Sequence, residues 1–147
     1  MKRWTTCALF AALATVALAE SPARLTSLRS ELLENPIGID ATKPRFSWKM
    51  EDARRDALQK AFQLQVASSK ENLLAGKADV WDSGKQETSA STAIQFGGAD
   101  LKPLTGYAWR VKAWDKDGEE TAFSEPATVE TGFVNKDNWK AKWIAAE

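Results

Sequence analysis

The sequence contains no histidine and only one cysteine among its 147 residues, and these two absences exclude several kinds of catalytic site. Without histidine, the chain cannot form a Ser-His-Asp or Cys-His catalytic arrangement, or a zinc site with histidine ligands. With a single cysteine, it cannot form an internal disulfide bond. Carboxylates, lysine, tyrosine and serine remain as candidate catalytic groups.

An excess of charge of one sign is also missing, because 20 Lys and Arg residues balance 20 Asp and Glu residues. Proteins that bind nucleic acid or anionic membranes usually carry a clear basic excess or stripe. The densest charged run, residues 51–56, mixes both signs, and we interpret it as a solvated loop. We therefore expect no nucleic-acid partner. The sequence also lacks a phosphate-binding Gly-rich loop and a metal-ligand cluster, so we expect no cofactor.

Long hydrophobic runs are confined to the N-terminus, where Lys2 and Arg3 precede an apolar stretch over residues 7–19. This stretch ends with Ala17 and Ala19 at the small-residue positions of a secretory signal peptide. As a helix it would reach about 20 Å, short of the roughly 30 Å hydrocarbon core, so we expect no stable membrane span. An uncleaved anchor is the alternative. Cleavage after Ala19 would remove the only cysteine and export the protein to the periplasm or the extracellular space.

Apolar and polar residues alternate from Leu25 onward, as in Phe46, Trp48 and Met50 with polar residues between them. This period of two is typical of half-buried strands. About seven short segments of this kind, separated by Gly, Pro and Asp clusters, predict an all-β antiparallel sandwich of the immunoglobulin or fibronectin type III kind. No stretch has a helical stripe, and we interpret residues 70–75 as a single turn. The predicted strands fall within residues 25–31, 46–50, 62–66, 80–81, 94–96, 107–113 and 127–133.

The most distinctive local pattern surrounds Tyr107, the only tyrosine in the chain. Leu101, Pro103, Thr105 and Tyr107 occupy alternate positions. They resemble the corner of fibronectin type III modules, in which the tyrosine hydroxyl bonds the backbone a few residues upstream. We interpret Tyr107 as structural. The alternative is a catalytic or sugar-stacking phenol.

Tryptophans are the remaining candidates for a binding role. Trp48 and Trp109 share the inward register of their strands, and we expect both in the core. Trp81 is ambiguous, and Trp114 lies on the opposite register from Trp109. An outward Trp114 or Trp81 could contact a sugar or a neighbouring domain; packing over the edge of the sandwich is the alternative.

The carboxylates do not show the pattern of a glycosidase, which needs two carboxyl groups facing each other across a sugar. They cluster in predicted turns at residues 51–56 and 115–120, where we expect their side chains to face water. Asp115, Asp117 and Gly118 do not fit an EF-hand loop, which has glycine at its sixth position and glutamate at its twelfth. We interpret them as a hairpin turn, and we predict no catalytic or metal-binding residue.

Several segments, taken together and in order, resemble the N-terminal immunoglobulin-like module of bacterial α-L-rhamnosidases of glycoside hydrolase family 78. The resemblance covers about residues 25–144. The segments that carry it are Leu28 to Glu31, Glu34 to Asp40, Pro44 to Trp48, Ala61 to Ala67, Trp81 to Gly84, Tyr107 to Val111 and Asn138 to Ile144.

The resemblance implies that this chain is one part of a longer enzyme. In that family, further β domains precede an (α/α)₆ barrel that removes terminal L-rhamnose with inversion, through a Glu acid and a Glu base that match no position here. It implies a non-catalytic module over residues 20–134, with downstream domains as its partner and a rhamnose-containing glycan as the substrate of the parent enzyme. Residues 135–147, with Trp139, Trp143 and Ile144, would be a linker and the start of the next domain. The alternative is a free-standing carbohydrate-binding or adhesion module.

Overall fold

The computed structural model describes residues 21–134 and Lys140. The predicted signal peptide, with Ala17 and Ala19, lies outside the described residues. So does the predicted start of a following domain at Trp139, Trp143 and Ile144.

Two antiparallel sheets pack face to face and contain the seven strands of the described part. The strands are β1 (Arg24–Ser30), β2 (Arg45–Glu51), β3 (Gln59–Ala67), β4 (Trp81–Asp82), β5 (Ile94–Gln95), β6 (Gly106–Asp115) and β7 (Ala127–Glu130). The first sheet has the order β1-β2-β5, and the second has the order β4-β3-β6-β7. The predicted all-β antiparallel sandwich of about seven strands is confirmed.

The core forms between the sheets because alternate residues of each strand face inward. Phe46 of the three-stranded sheet meets Trp109 of the four-stranded sheet, with ring centres 4.6 Å apart. Trp48 meets Phe62 in the same way, at 5.1 Å. Aromatic side chains of this size bury a large apolar area, so these contacts across the two sheets account for much of the packing.

One short helix, α1 (Lys70–Leu74), connects β3 to β4, at the position where the sequence predicts a single turn. Ser69 caps it by accepting a hydrogen bond from Asn72 N at 3.2 Å. Leu73 is fully buried against Ala67 and Ala108 on the outer face of the four-stranded sheet. The helix therefore covers only one part of that face.

The free edge of β7 is paired with the segment of residues 35–39, which we call the edge cover. Asn35 Oδ1 accepts a hydrogen bond from Thr128 N at 2.8 Å, and Pro36 O accepts one from Glu130 N at 2.9 Å. In return, Gly38 N and Ile39 N both donate to the carbonyl of Glu130. These bonds use backbone groups that an edge strand would otherwise leave unpaired.

The sandwich has two ends with different contents. The hairpin end contains residues 21, 51–59 and 115–120, where β2 and β6 end and β1 and β3 begin. The exit end contains residues 30–45, 96–105 and 131–134, and the described chain leaves the sandwich there after β7.

Candidate functional site

Trp114 lies on the outer face of the four-stranded sheet, opposite Ala61 of β3. Its side chain is partly buried. The ammonium groups of Lys85 and Lys112 lie 4.8 and 5.0 Å from the centre of its ring, a distance at which a cation is attracted to the π electrons. A sugar that stacks on Trp114 therefore competes with two lysine side chains for the ring.

A row of polar side chains lies on the same face. Gln63 and Gln65 each donate an amide hydrogen bond to Asp82 at 2.8 Å. Arg110 donates to the amide oxygen of Gln65 at 3.0 and 2.9 Å. Burial alone would raise the pKa of Asp82, but the hydrogen bonds from the two glutamines and from Gly84 N, with the charge of Lys112, together outweigh it and hold that pKa below its ordinary value. These groups bond mainly to one another, so the face is a closed polar network.

Trp81 faces the core, and the structure does not present it as the outward platform considered from the sequence. It pairs in register with Val66, whose side chain is fully buried between the sheets. Its ring centre lies 5.2 Å from that of Phe96, and a Cβ at Gly97 would come within 2.9 Å of the indole. Trp81 and Trp114 therefore lie on opposite faces of one sheet and cannot form a common surface.

The three residues interpreted as structural lie against the core. The hydroxyl of Tyr107 accepts a hydrogen bond from Lys102 N at 3.0 Å, which is the contact made in a tyrosine corner. Trp48 is 3% exposed and donates from its indole to Gln59 at 2.9 Å. Trp109 is completely buried. The hydroxyl of Tyr107 and the indole of Trp48 thus have hydrogen-bond partners within the sandwich, whereas the indole N–H of Trp109 is buried without one among the described residues.

The carboxylates at the hairpin end do not all face water, which corrects the expectation from the sequence. The side chain of Asp115 has no exposed surface, and that of Asp52 is 1% exposed. Both bind the guanidinium of Arg54, at 2.5 and 2.7 Å, and Asp117 binds it at 3.1 Å. The expectation was wrong because Arg54, which lies in the charged run that we interpreted as solvated, folds over the turn. We call these four residues the Arg54 cluster.

The Arg54 cluster holds Asp115 and Asp52 in the ionised form. Burial alone would raise the pKa of Asp115, but hydrogen bonds from Ser21, Arg54 and the backbone of the turn outweigh it and hold that pKa far below its ordinary value. The pKa of Asp52 is lowered chiefly by its hydrogen bond from Arg54. A general acid near neutral pH needs a raised pKa instead. No group of three potential ligand side chains within the described ranges is arranged to hold a metal ion.

Two other carboxylates line one cavity of about 360 Å³ near the exit end. Asp79 accepts hydrogen bonds from the hydroxyl and the N–H of Ser68, at 2.6 and 3.0 Å, and they lower its pKa. Asp100 lies 3.7 Å from the ammonium group of Lys43. A glycosidase pair needs one carboxyl group that carries a proton. Asp79 has the opposite character, so it does not suit the role of the acid in such a pair.

The exit end carries exposed apolar side chains that the sequence reasoning missed. Ile37 is 81% exposed, Leu104 is 61% exposed and Phe133 is 41% exposed. Backbone hydrogen bonds join their segments, from Leu104 N to Gly132 O at 3.2 Å and from Gly132 N to Ile39 O at 2.8 Å. We call Ile37, Leu104 and Phe133 the exit patch. The signal in the sequence was a large aliphatic residue directly after proline in each of two turns, Pro36-Ile37-Gly38 and Pro103-Leu104-Thr105-Gly106.

A groove of about 500 Å³ adjoins the exit patch. Ile37 stands at its margin, and Gly106, Ala108 and Thr128 of β6 and β7 lie along it. Glycine and alanine leave the groove open because they fill little space above the sheet. The exit end therefore combines exposed aliphatic side chains with an adjacent recess.

Comparison with known families shows what kind of module this sandwich is. Residues 25–135 match the model of the family described as the Rha78A-like, N-terminal immunoglobulin domain. The chain belongs to this family. The prediction of an N-terminal immunoglobulin-like module of α-L-rhamnosidases is thereby confirmed.

Curated relatives of this rhamnosidase N-terminal domain agree with the family match. The chain is 43% identical over 126 residues to an α-L-rhamnosidase of Streptomyces avermitilis, covering 86% of this chain and 12% of that protein. It is 42% identical over 111 residues to an α-L-rhamnosidase of Formosa agariphila, covering 75% of this chain and again 12% of the relative. The chain therefore spans about an eighth of the length of these relatives.

Solved structures show the same relationship in three dimensions. The Streptomyces avermitilis α-L-rhamnosidase complexed with L-rhamnose matches 85% of this chain with a TM-score of 0.81 and 42% identity. The α-L-rhamnosidase from Dictyoglumus thermophilum matches 84% of this chain with a TM-score of 0.81 and 40% identity. The chain covers 12% and 14% of those two structures.

Proposed function

We propose that this chain is the non-catalytic N-terminal module of an exported enzyme that hydrolyses terminal α-L-rhamnose, and that its role is to pack against the domains that follow it. One observation carries the proposal. The whole matched sandwich corresponds to an eighth of proteins named α-L-rhamnosidase. The character of the carboxylates supports it, because Asp79, Asp52 and Asp115 are all held ionised by donors.

Export is part of the proposal and rests on the sequence of the first nineteen residues, with Lys2 and Arg3 before an apolar stretch that closes at Ala19. Within residues 21–134, no helix is long and apolar enough to cross a membrane. Sequencing the N-terminus of the secreted protein would test cleavage after Ala19. Retention of Met1 in the exported protein would contradict it.

The proposed division of labour can be tested with an aryl α-L-rhamnoside as substrate. We expect no hydrolysis by this chain alone. In the Streptomyces avermitilis relative, the segment matched by this chain would be replaced with residues 21–134. We expect this chimera to fold and to hydrolyse the substrate. Turnover by the isolated chain, or a folded chimera without activity, would contradict the proposal.

Sugar binding on the outer face of the four-stranded sheet is a second candidate function. The observation that favours it is the position of Trp114 beside hydrogen-bonding side chains of Gln63, Gln65 and Arg110 on one face. The lysine side chains over the indole weigh against it. Calorimetric titration with rhamnose-containing oligosaccharides should then give saturable heat that disappears in Trp114→Ala. Absence of heat at millimolar sugar would exclude this candidate.

A further inference from the structure

Packing in the core does not account for the exposed side chains of Ile37 and Leu104 in the exit patch. Ile37, Leu104 and Phe133 are more exposed than any apolar residue of the core. Isolated exposed apolar side chains are common on proteins and need no explanation, whereas adjoining ones beside a recess mark interaction sites. The segments that carry these three are joined by backbone hydrogen bonds, so they form one surface.

The backbone of Leu104 gives a second, independent observation. Its φ is +50°, in the left-handed region that glycine and asparagine adopt readily and that leucine rarely adopts. Such a conformation is strained for a residue with a large side chain. The side chain of Leu104 is 61% exposed and gains little from the core in return. Packing within the sandwich therefore does not explain a leucine at position 104.

We propose that the exit patch and its groove are the docking surface for the domain that directly follows residue 134 in the parent enzyme, a proposal that rests on the function proposed above. The described chain leaves the sandwich beside the patch, because Phe133 belongs to it. A domain joined to the chain at this point lies close to this end, since consecutive units of a chain are usually neighbours in space.

The chemistry of the patch indicates the kind of contact that the following domain makes. Ile37 and Leu104 offer aliphatic carbon and no hydrogen-bonding group, which suits an apolar protein surface and does not suit a glycan. The groove beside Ile37, with Gly106 and Ala108 along it, has room for a projecting side chain. The following domain therefore presents an apolar surface with at least one large side chain that enters the groove.

The test uses three substitutions that remove an exposed apolar side chain. Ile37→Ser and Leu104→Asn alter the exit patch, and asparagine accepts the left-handed backbone at position 104. Leu58→Asn is the matched control, because Leu58 is 53% exposed at the hairpin end. Calorimetry measures the Tm of this module in the 147-residue chain and in the chimera with the Streptomyces avermitilis relative.

Docking predicts that the module has a higher Tm in the chimera than alone. Ile37→Ser and Leu104→Asn should each remove at least about 4 °C of that gain, while the Tm of the isolated chain stays the same or rises. Leu58→Asn should leave the gain unchanged. Equal effects of the patch variants in both contexts, or a loss of gain with Leu58→Asn alone, would overturn the docking surface.

Two further outcomes separate this inference from the proposed function. If the wild-type module gains no thermal stability in a folded chimera, packing against following domains fails as a function, whatever the patch does. If the module gains stability and the patch variants retain all of it, the function stands and this surface is wrong. If the isolated chain dimerises in sedimentation and Ile37→Ser abolishes the dimer, the occupant is a second copy and the proposal is overturned.

Discussion

At the hairpin end of the sandwich, a buried ion-pair cluster holds the connections together, whereas at the exit end the ion pairs are more exposed and the buried side-chain contacts are neutral hydrogen bonds. Asp115 and Asp52 share the guanidinium of Arg54 at one end. At the other end, the hydroxyls of Tyr107 and Thr131 bond the backbone, with Lys102 N donating to Tyr107 at 3.0 Å and Thr131 donating to Lys102 O at 2.6 Å.

The surfaces of the two ends differ as well. Among the described residues, five of the seven most exposed large apolar side chains lie at the exit end: Leu32, Leu33, Ile37, Leu104 and Phe133. Leu58 is the one at the hairpin end, and Leu74 lies on α1. The hairpin end therefore exposes few large apolar side chains. The exit end is held by its own hydrogen bonds but exposes several of them.

The largest effect that distinguishes the ends should come from Asp115→Ala. Removing one partner of a buried ion pair leaves the other charge and its donors uncompensated, and we expect a loss of about 3 kcal/mol in the free energy of unfolding. Chemical denaturation of the 147-residue chain measures it.

Asp117→Ala is the matched control for Asp115→Ala, because Asp117 binds the same guanidinium but is 53% exposed. Exposed ion pairs contribute about 1 kcal/mol or less, so this control should cost little. If both substitutions cost the same, burial of Asp115 does not set the strength of the Arg54 cluster.

A smaller effect should come from Tyr107→Phe at the exit end. Phenylalanine keeps the ring and removes the hydroxyl that accepts from Lys102 N. A buried neutral hydrogen bond whose partner is left unsatisfied costs about 1 to 2 kcal/mol. The same denaturation experiment measures this loss. A change below about 0.5 kcal/mol, the range of ordinary surface substitutions, would show that the Tyr107 hydroxyl does not hold this end.

Lowering the pH should weaken the hairpin end before the exit end. This comparison needs no substitution that alters the free energy of unfolding at neutral pH. The pKa of Asp115 is lowered by folding, so its stabilising contribution is present above the unfolded value of 3.8 and is lost as pH falls toward the folded value. The hydrogen bonds that Tyr107 and Thr131 make at the exit end involve no carboxylate. Amide exchange followed by NMR should therefore show protection lost at Asp117 and Glu119 before it is lost at Lys102.

The variant Asp115→Asn provides the control for this pH dependence. It cannot ionise at position 115, so its free energy of unfolding should fall less steeply with decreasing pH below 3.8 than that of the wild-type chain. Equal slopes in the two proteins would show that other carboxylates account for acid sensitivity.

The strands were predictable from the sequence because each carries its own alternation. In β2, Phe46 and Trp48 alternate with polar residues, and both proved to be buried. The position of Tyr107 after Leu101, Pro103 and Thr105 was equally local information. Such patterns depend on neighbours a few residues apart, so they can be recognised in the sequence before the fold is known.

The side-chain contacts and backbone conformations at the two ends could not be predicted in this way. Asp115 reads locally as part of a solvent-facing turn, and the guanidinium that buries it comes from Arg54, 61 residues earlier. Trp81 packs against Phe96, which comes later in the chain after an intervening loop. Its own two-residue strand is too short to show which way its side chain faces. The left-handed backbone of Leu104 has no sequence signal, because leucine is an uncommon residue there.

The edge cover has a consequence for how this module behaves at high concentration. A short final strand without a partner is a template on which a second chain can add strands and begin to aggregate. Asn35, Pro36 and Gly38 take the donors and acceptors of β7 that such a strand would use. If the module is exported without a disulfide bond, this segment of its own chain protects it from edge-to-edge polymerisation even while the molecules are concentrated and the following domains are still unfolded.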